Sequence, residues 1–217
     1  DALSDNRTLN RAVYERCKAM LIHQSGKYSE DLCIMTADGK QLVGLTTNSE
    51  DGLTKYTDKL KEEIKKHRRN TLISIHNHAT NIPPTGADFA TAGYRGYKFG
   101  VVACHNGRVY IYSTENALPF SATGYDKMVA KYQDVPYNLD SEKAILKTME
   151  IFSKSHGIMW RELKLAYVYS VIISNTICYA GNLAGIVNGN LVVKLDAIIC
   201  KANAACAFTC ADDGFDI

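Results

Sequence analysis

Short apolar runs with a β-strand pattern alternate along this chain with segments of helical pattern. Apolar side chains recur every three or four residues over 8–24, which predicts an amphipathic helix, and residues 53–69 form a second, highly charged one. Residues 31–36 and 41–46 flank an Asp-Gly turn, and residues 71–76 form a β-rich run that ends on a histidine. Because helices that alternate with strands imply a sheet covered by helices, this order favours an α/β fold.

The alternation continues to residue 113. A helix is predicted over residues 85–94, and two strands over 99–104 and 108–113 flank an Asn-Gly turn. We therefore expect residues 1–113 to form a three-layer α/β/α domain with a mixed sheet.

The amino-acid composition of the chain changes after residue 113. Residues 114–139 are rich in turn formers and are predicted to be a connector, and residues 140–217 are predicted to be an accessory region of unknown role. This region opens with a predicted helix over 140–165, and the stretch 166–199 is almost free of charge. A hairpin that turns at 187–190 fits the polar and β-branched residues of this stretch better than the alternative, a membrane span.

Charge and cysteine content narrow the function classes. The chain has 25 Lys and Arg against 23 Asp and Glu, so no basic excess indicates a nucleic-acid partner. Of its seven cysteines, Cys17, Cys33 and Cys104 are isolated in regular segments, as in proteins of a reducing compartment. The four C-terminal cysteines lack a Cys-x-x-Cys pair, which favours scattered thiols over a zinc knuckle. The chain starts at Asp1 in a polar run without a methionine, so we expect a fragment of a longer, cytoplasmic protein.

One loop carries residues suited to metal chemistry. His76 and His78 are two positions apart at the end of a predicted strand, where side chains at that spacing share a face. Asp88 follows ten residues after His78, at the start of a predicted helix. Two imidazole nitrogens and one carboxylate oxygen form a good ligand set for zinc that leaves a fourth position for water. The alternative is a chance pair of surface histidines with an N-capping aspartate.

Two further residues complete a catalytic set. A hydrolytic metal site needs a base that takes a proton from water, and Glu30, just before the first predicted strand, is a candidate for that base. Thr85 places a hydroxyl three residues before Asp88. His105 is predicted to be a turn residue and not a fourth ligand, and His23 a helix-end histidine. Cys104 and His105 form a poor nucleophile–base pair, because adjacent side chains on a strand point in opposite directions.

The order of these residues resembles the JAMM (MPN-plus) metalloenzyme family. That family has a glutamate on an early strand, His-x-His at a strand end, and Ser-x-x-Asp at the start of a helix. The SEDLCIMTADGK stretch and the HNH tripeptide are similar to its RadC-like branch, and the resemblance covers roughly residues 8–113. The chain departs from the family pattern at Ala79, where proline is usual, and at Thr85, where serine is usual.

The resemblance implies a zinc-dependent hydrolase that cleaves a peptide or isopeptide bond in a protein or peptide substrate. It implies that His76, His78 and Asp88 bind Zn²⁺, that Glu30 activates the water, and that Thr85 stabilises the oxyanion.

The general sequence character of residues 73–89 and 96–113 is also similar to that of JAMM-like domains in phage head-morphogenesis proteins and bacterial polymorphic toxins. This similarity implies a bacterial or phage-infected cell. Two alternatives follow from the same resemblance. One is a non-catalytic structural module of a phage or toxin assembly, and the other is a RadC-like DNA-associated protein.

Overall fold

The chain forms a mixed α/β structure around a six-stranded mixed sheet. The computed structural model describes residues 3–51, 54–163, 185–187 and 190–192. The helices in the described part are α1 (Arg7–His23), α2 (Asp58–Lys65), α3 (Gly86–Arg95), α4 (Ala122–Gln133) and α5 (Ser141–His156). The strands there are β1 (Ser29–Thr36), β2 (Leu42–Asp51), β3 (Leu72–His78), β4 (Phe99–Cys104), β5 (Val109–Ser113), β6 (Met159–Leu163), β7 (Gly185–Val187) and β8 (Asn190–Val192).

The sheet order brings the carboxyl end of β3 beside the amino end of β1. The strands lie in the order β2-β1-β3-β4-β5-β6, and all neighbours are antiparallel except the pair β3–β4. The parallel pair is joined through α3, as a crossover connection requires. Since β1 runs against β3, with Leu32 opposite His76, residues that precede Leu32 and residues that follow His76 meet at one edge of the sheet.

Each face of the sheet carries its own hydrophobic core. Leu32 and Ile34 of β1 belong to a cluster that includes buried side chains of α2, α3, α4 and α5. Cys33 and Met35, which alternate with them, belong to a second cluster with the buried side chains of α1. The predicted α/β class, with a mixed sheet, is therefore confirmed.

Several elements differ from the sequence prediction. Helix α2 is shorter than the predicted 53–69, and strand β2 is longer than the predicted 41–46. The predicted connector 114–139 contains helix α4, whose N-cap Ser121 accepts a hydrogen bond from the N–H of Gly124. The predicted helix over 140–165 ends earlier, because Gly157 takes a φ of 74° at the end of α5 and the chain then extends into β6. Strand β6 pairs antiparallel with β5 and completes the sheet.

The compact unit that holds the sheet is longer than the predicted domain. It spans Asp1–Leu165, so the predicted boundary at residue 113 falls inside it. Tyr125 of α4 and Met149 of α5 are fully buried in its core, and Arg108 is hydrogen-bonded to Glu162 of β6 at 2.8 Å. The segment predicted as connector and accessory helix is thus part of the same core.

The second unit, Ala166–Ile217, is described only in strands β7 and β8. These strands pair antiparallel on either side of residues 188–189, which confirms the predicted hairpin. The rest of the apolar stretch 166–199 lies outside the described residues. Within the described ones, no helix has the length and apolarity needed to cross a bilayer.

Candidate metal centre

Strand β3 presents both predicted histidine ligands on one face at its carboxyl end. The Nε2 atoms of His76 and His78 are 3.0 Å apart, and the two rings meet edge to face with centroids 4.8 Å apart. Both side chains are buried. The two-residue spacing therefore brings the imidazoles together in the way that the strand alternation predicts.

Helix α3 brings Asp88 to the same point. The Asp88 Oδ1 atom lies 3.1 Å from Nε2 of His76, and its Oδ2 atom lies 3.5 Å from Nε2 of His78. Among the described residues, these three form the one group of histidine, cysteine and carboxylate side chains whose ligand atoms converge within 4.8 Å. The structure thus brings together the three residues predicted to bind metal.

The spacing of the two imidazoles fits a shared metal ion. A tetrahedral ion with bonds of 2.0–2.1 Å holds its ligand atoms about 3.3 Å apart, close to the 3.0 Å between the two Nε2 atoms. Asp88 turns one carboxylate oxygen towards each ring, and with one ligand atom taken from each residue all three lie within 4.8 Å of one another. The Nδ1 atom of His78 lies 2.9 Å from the carbonyl oxygen of Ile82. Because a carbonyl can only accept, Nδ1 carries the proton, and in the neutral ring the Nε2 lone pair faces the cluster. The group could therefore hold a metal ion.

The electrostatics of the cluster favour ionised Asp88. Burial alone would raise the pKa of Asp88, but the neighbouring His76 and His78 hold it well below its usual range. Burial lowers the pKa of His78, which keeps that imidazole neutral and able to donate a lone pair. Burial also opposes protonation of His76, but the Asp88 carboxylate outweighs it and raises the pKa of His76.

Thr85 orients the carboxylate ligand. Its hydroxyl donates to Oδ2 of Asp88 at 2.8 Å, and its backbone N–H donates to the same oxygen at 2.7 Å. This is a capping arrangement in which the Thr-x-x-Asp motif begins the helix and fixes its carboxylate at the same time. The hydroxyl is therefore engaged with Asp88, and its predicted role towards an oxyanion stays a prediction.

Glu30 lies in β1 at the same edge of the sheet. It is two residues before Leu32, which pairs with His76, so the strand period places Glu30 and both histidines on the same face. The residue is only 7% exposed, and burial raises the pKa of its carboxyl group to about 7, with His76 acting in the opposite direction. A carboxyl group with this pKa accepts and returns protons near neutral pH.

A second polar cluster, absent from the sequence prediction, lies on the opposite face of the sheet. Asp31 accepts from Nε2 of Gln24 at 2.7 Å and lies 2.7 Å from Nδ1 of His23. The side chain of Asn77 bonds to the backbone of Asp31 and lies 3.2 Å from Nε2 of His105. The signal for this cluster was available in the strand alternation, because Asp31 and Asn77 alternate with Glu30 and the histidines.

The described cysteines are not poised for chemistry. Burial raises the pKa of Cys17 and of Cys104 to about 12, and that of Cys33 to about 11. All three are buried thiols, as predicted, and Cys104 only approaches the carbonyl oxygen of Ile82 at 3.5 Å. A thiol that stays protonated at neutral pH is a poor nucleophile.

No family model, no curated protein and no solved structure matches this chain. The resemblance to JAMM enzymes therefore rests on the motif residues and their order. The chemistry open to the site follows from its own geometry.

Proposed function

We propose that this chain is a zinc-dependent hydrolase that cleaves a peptide or isopeptide bond. In this proposal His76, His78 and Asp88 bind the ion, and Glu30 is the general base. The observation that carries it is the buried Glu30, which lies on the same strand face as the three converging ligand side chains. The proposal includes a three-layer arrangement, with α1 on one face of the sheet and the other helices on the opposite face.

The number of ligands supports a catalytic site. Structural zinc sites use four protein ligands, whereas catalytic sites use three and leave one position open. The cluster offers three among the described residues. Zinc bound there would lower the pKa of a water molecule and polarise the carbonyl of the scissile bond.

Glu30 would move the proton through the reaction. It takes a proton from the attacking water, whose oxygen forms a bond to the carbonyl carbon. It then gives that proton to the nitrogen of the leaving amine as the carbon–nitrogen bond breaks. The products are a carboxylic acid and an amine, so atoms and electrons balance. The raised pKa suits both steps, because a base poised near neutral pH also works as an acid there.

A cleft beside the ligand loop gives a place for the substrate. It has a volume of about 500 Å³ and is lined by Thr80, Asn81, Ile82 and residues 140–143 at the start of α5. The carbonyl of Ile82 is also hydrogen-bonded to His78, so Ile82 both lines the cleft and holds one of the proposed metal ligands. We propose that the cleft holds the chain next to the scissile bond.

The test uses two peptide substrates and one variant. Metal-free protein is reloaded with Zn²⁺ and incubated with a digest of unrelated proteins and with a synthetic peptide joined to a second peptide through a lysine side chain. Mass spectrometry then detects new amine ends. Cleavage is expected with zinc, none with a chelator, and a loss of roughly 10²- to 10⁴-fold in Glu30→Gln at unchanged zinc content.

Two results would contradict the proposal. Cleavage by Glu30→Gln at the parental rate would exclude Glu30 as the base. Stoichiometric zinc with no cleavage of either substrate would favour the non-catalytic structural module.

A further inference from the structure

Asn77 lies between the two histidine ligands, but its side chain faces the opposite side of the sheet. The strand period of two places it with Ile73 and Ile75, away from His76 and His78. Its side chain is fully buried at 0% exposure. A buried amide at the centre of a metal-binding motif is costly unless it is hydrogen-bonded, so its partners indicate its role.

Those partners lie on β1, one step past the end of the backbone ladder. The pairs of β1 with β3 run from Thr36 opposite Leu72 to Leu32 opposite His76. Beyond this point the side chain of Asn77 accepts a hydrogen bond through Oδ1 from the N–H of Asp31 at 2.7 Å. Its Nδ2 donates to the carbonyl of Ser29 at 3.1 Å. The amide therefore continues the sheet in place of a backbone peptide.

The two backbone groups that Asn77 holds lie on either side of Glu30. The carbonyl of Ser29 belongs to the peptide unit before Glu30, and the N–H of Asp31 belongs to the unit after it. Both peptide planes that meet at the Glu30 Cα are thus held by one side chain. Since successive side chains on a strand alternate, the Glu30 carboxylate points to the face opposite Asn77, which is the face of the histidine ligands.

The other neighbour of β1 does not hold this segment in regular register. Ser29 is opposite Asp51 and Asp31 is opposite Thr47, so the pairing with β2 shifts at Glu30. The extra residues, 48–50, lie on β2, so the irregularity belongs to β2 and leaves Glu30 without a regular partner on that side. The contact with Asn77 therefore fixes Glu30 where regular pairing is interrupted.

Only a carboxamide of this length makes both bonds. Turning the amide over would set a donor against the N–H of Asp31 and an acceptor against the carbonyl of Ser29, so the assignment of Oδ1 and Nδ2 is fixed. In this orientation Nδ2 also lies 3.2 Å from Nε2 of His105. Aspartate would keep the acceptor and lose the donor, and leucine would lose both.

We propose that Asn77 is a positioning residue that holds the Glu30 carboxylate beside the metal ligands. This proposal rests on the proposed function, in which Glu30 is the base. It assigns Asn77 no contact with metal or substrate, because its side chain lies on the opposite face of the sheet.

The test compares Asn77→Leu and Asn77→Asp with a matched control, Asn10→Leu. Asn10 makes the same two kinds of bond, since it accepts from the N–H of Ser4 at 2.9 Å and donates to the carbonyl of Ser4 at 2.6 Å. Hydrogen exchange at the Asp31 amide is measured in metal-free protein. Pseudocontact shifts of the Glu30 side chain are measured with Co²⁺ in the site, and turnover is measured with Zn²⁺.

Asn77→Leu should keep one metal per chain, speed exchange at Asp31 at least tenfold, and change the pseudocontact shifts of Glu30. Turnover should fall by roughly 10²-fold, since a displacement of about 1 Å costs that much in a preorganised site. The double variant with Glu30→Gln should lose no more turnover than Glu30→Gln alone. Asn77→Asp, which keeps the bond from Asp31, should lie between the parent and Asn77→Leu, and Asn10→Leu should match the parent.

Unchanged pseudocontact shifts of Glu30 in both Asn77 variants would overturn the proposal, whatever the activity. So would parental turnover in both variants while Glu30→Gln is inactive, and in that case the proposed function would stand. If Glu30→Gln itself turns over normally, the proposed function fails, and the exchange and shift data still decide whether Asn77 holds Glu30.

Discussion

Glu30→Gln should change how the stability of the metal-free protein depends on pH. The Glu30 carboxyl is buried, and burial raises its pKa from 4.5 in an unfolded chain to about 7 in the folded protein. Between these two values the folded state binds more protons at this site than the unfolded state does. The contribution of Glu30 to the free energy of unfolding therefore falls as the pH rises from about 4.5 to about 7, and the loss persists above pH 7.

The magnitude follows from the two pKa values. Each pH unit between them is worth about 1.4 kcal/mol, so an ionised Glu30 costs the metal-free parent about 3 kcal/mol at pH 8 relative to pH 4.5. Glutamine keeps the shape and cannot ionise. The stability of Glu30→Gln relative to the parent should therefore rise by about that amount across this range, whatever the pH-independent cost of burying the new amide.

The assay is urea unfolding followed by circular dichroism, at several pH values and with chelator present. Glu15→Gln, on the exposed side of α1, controls for the loss of one carboxylate. A difference between Glu30→Gln and parent that stays constant from pH 4.5 to pH 8 would refute the reasoning, because it would show that the Glu30 carboxylate is well solvated in the folded protein.

The remaining predictions concern support for the site. Thr85→Ala removes the hydroxyl that orients Asp88 and should weaken zinc binding roughly 10- to 100-fold by calorimetry, whereas Thr85→Ser should bind as the parent does. Residues 1–139 alone lack α5 and β6 and should show no cooperative thermal transition; a cooperative one would contradict the extent of the core. Gly86→Ala would put a Cβ 3.0 Å from the carbonyl oxygen of Ala122 and should lower stability by about 1–3 kcal/mol, measured as the urea midpoint.

The hairpins and the ligand loop could be predicted because each depends on a local signal. The Asp-Gly and Asn-Gly turns fix both hairpins of the sheet. The spacing of His76 and His78, and that of Thr85 and Asp88, encode a shared strand face and a helix start over a few residues. Glu30 is 46 positions before His76, and its place depends on the register between β1 and β3, which no local signal in the sequence encodes.

The structural features that the sequence analysis did not predict have weak local signals in the sequence. Helix α4 fully buries one side chain, Tyr125, so its apolar stripe is too thin to stand out in the sequence. Strand β6 is five residues long at the sheet edge, and none of its side chains is fully buried. The role of Asn77 depends on the backbone of a distant strand, and no pattern near residue 77 contains that information.

The most direct test of the metal centre is a calorimetric titration of Zn²⁺ into the metal-free protein and into His78→Ala. The hydrogen bond to Ile82 fixes the Nε2 lone pair of His78 towards the cluster. Removal of the His78 imidazole should therefore abolish stoichiometric zinc binding. The parent should bind one zinc per chain, and His78→Ala should bind close to none. His67→Ala, two residues after the end of α2, should bind as the parent does. A parent that binds no zinc, or a His78→Ala variant that still binds one per chain, would contradict the account.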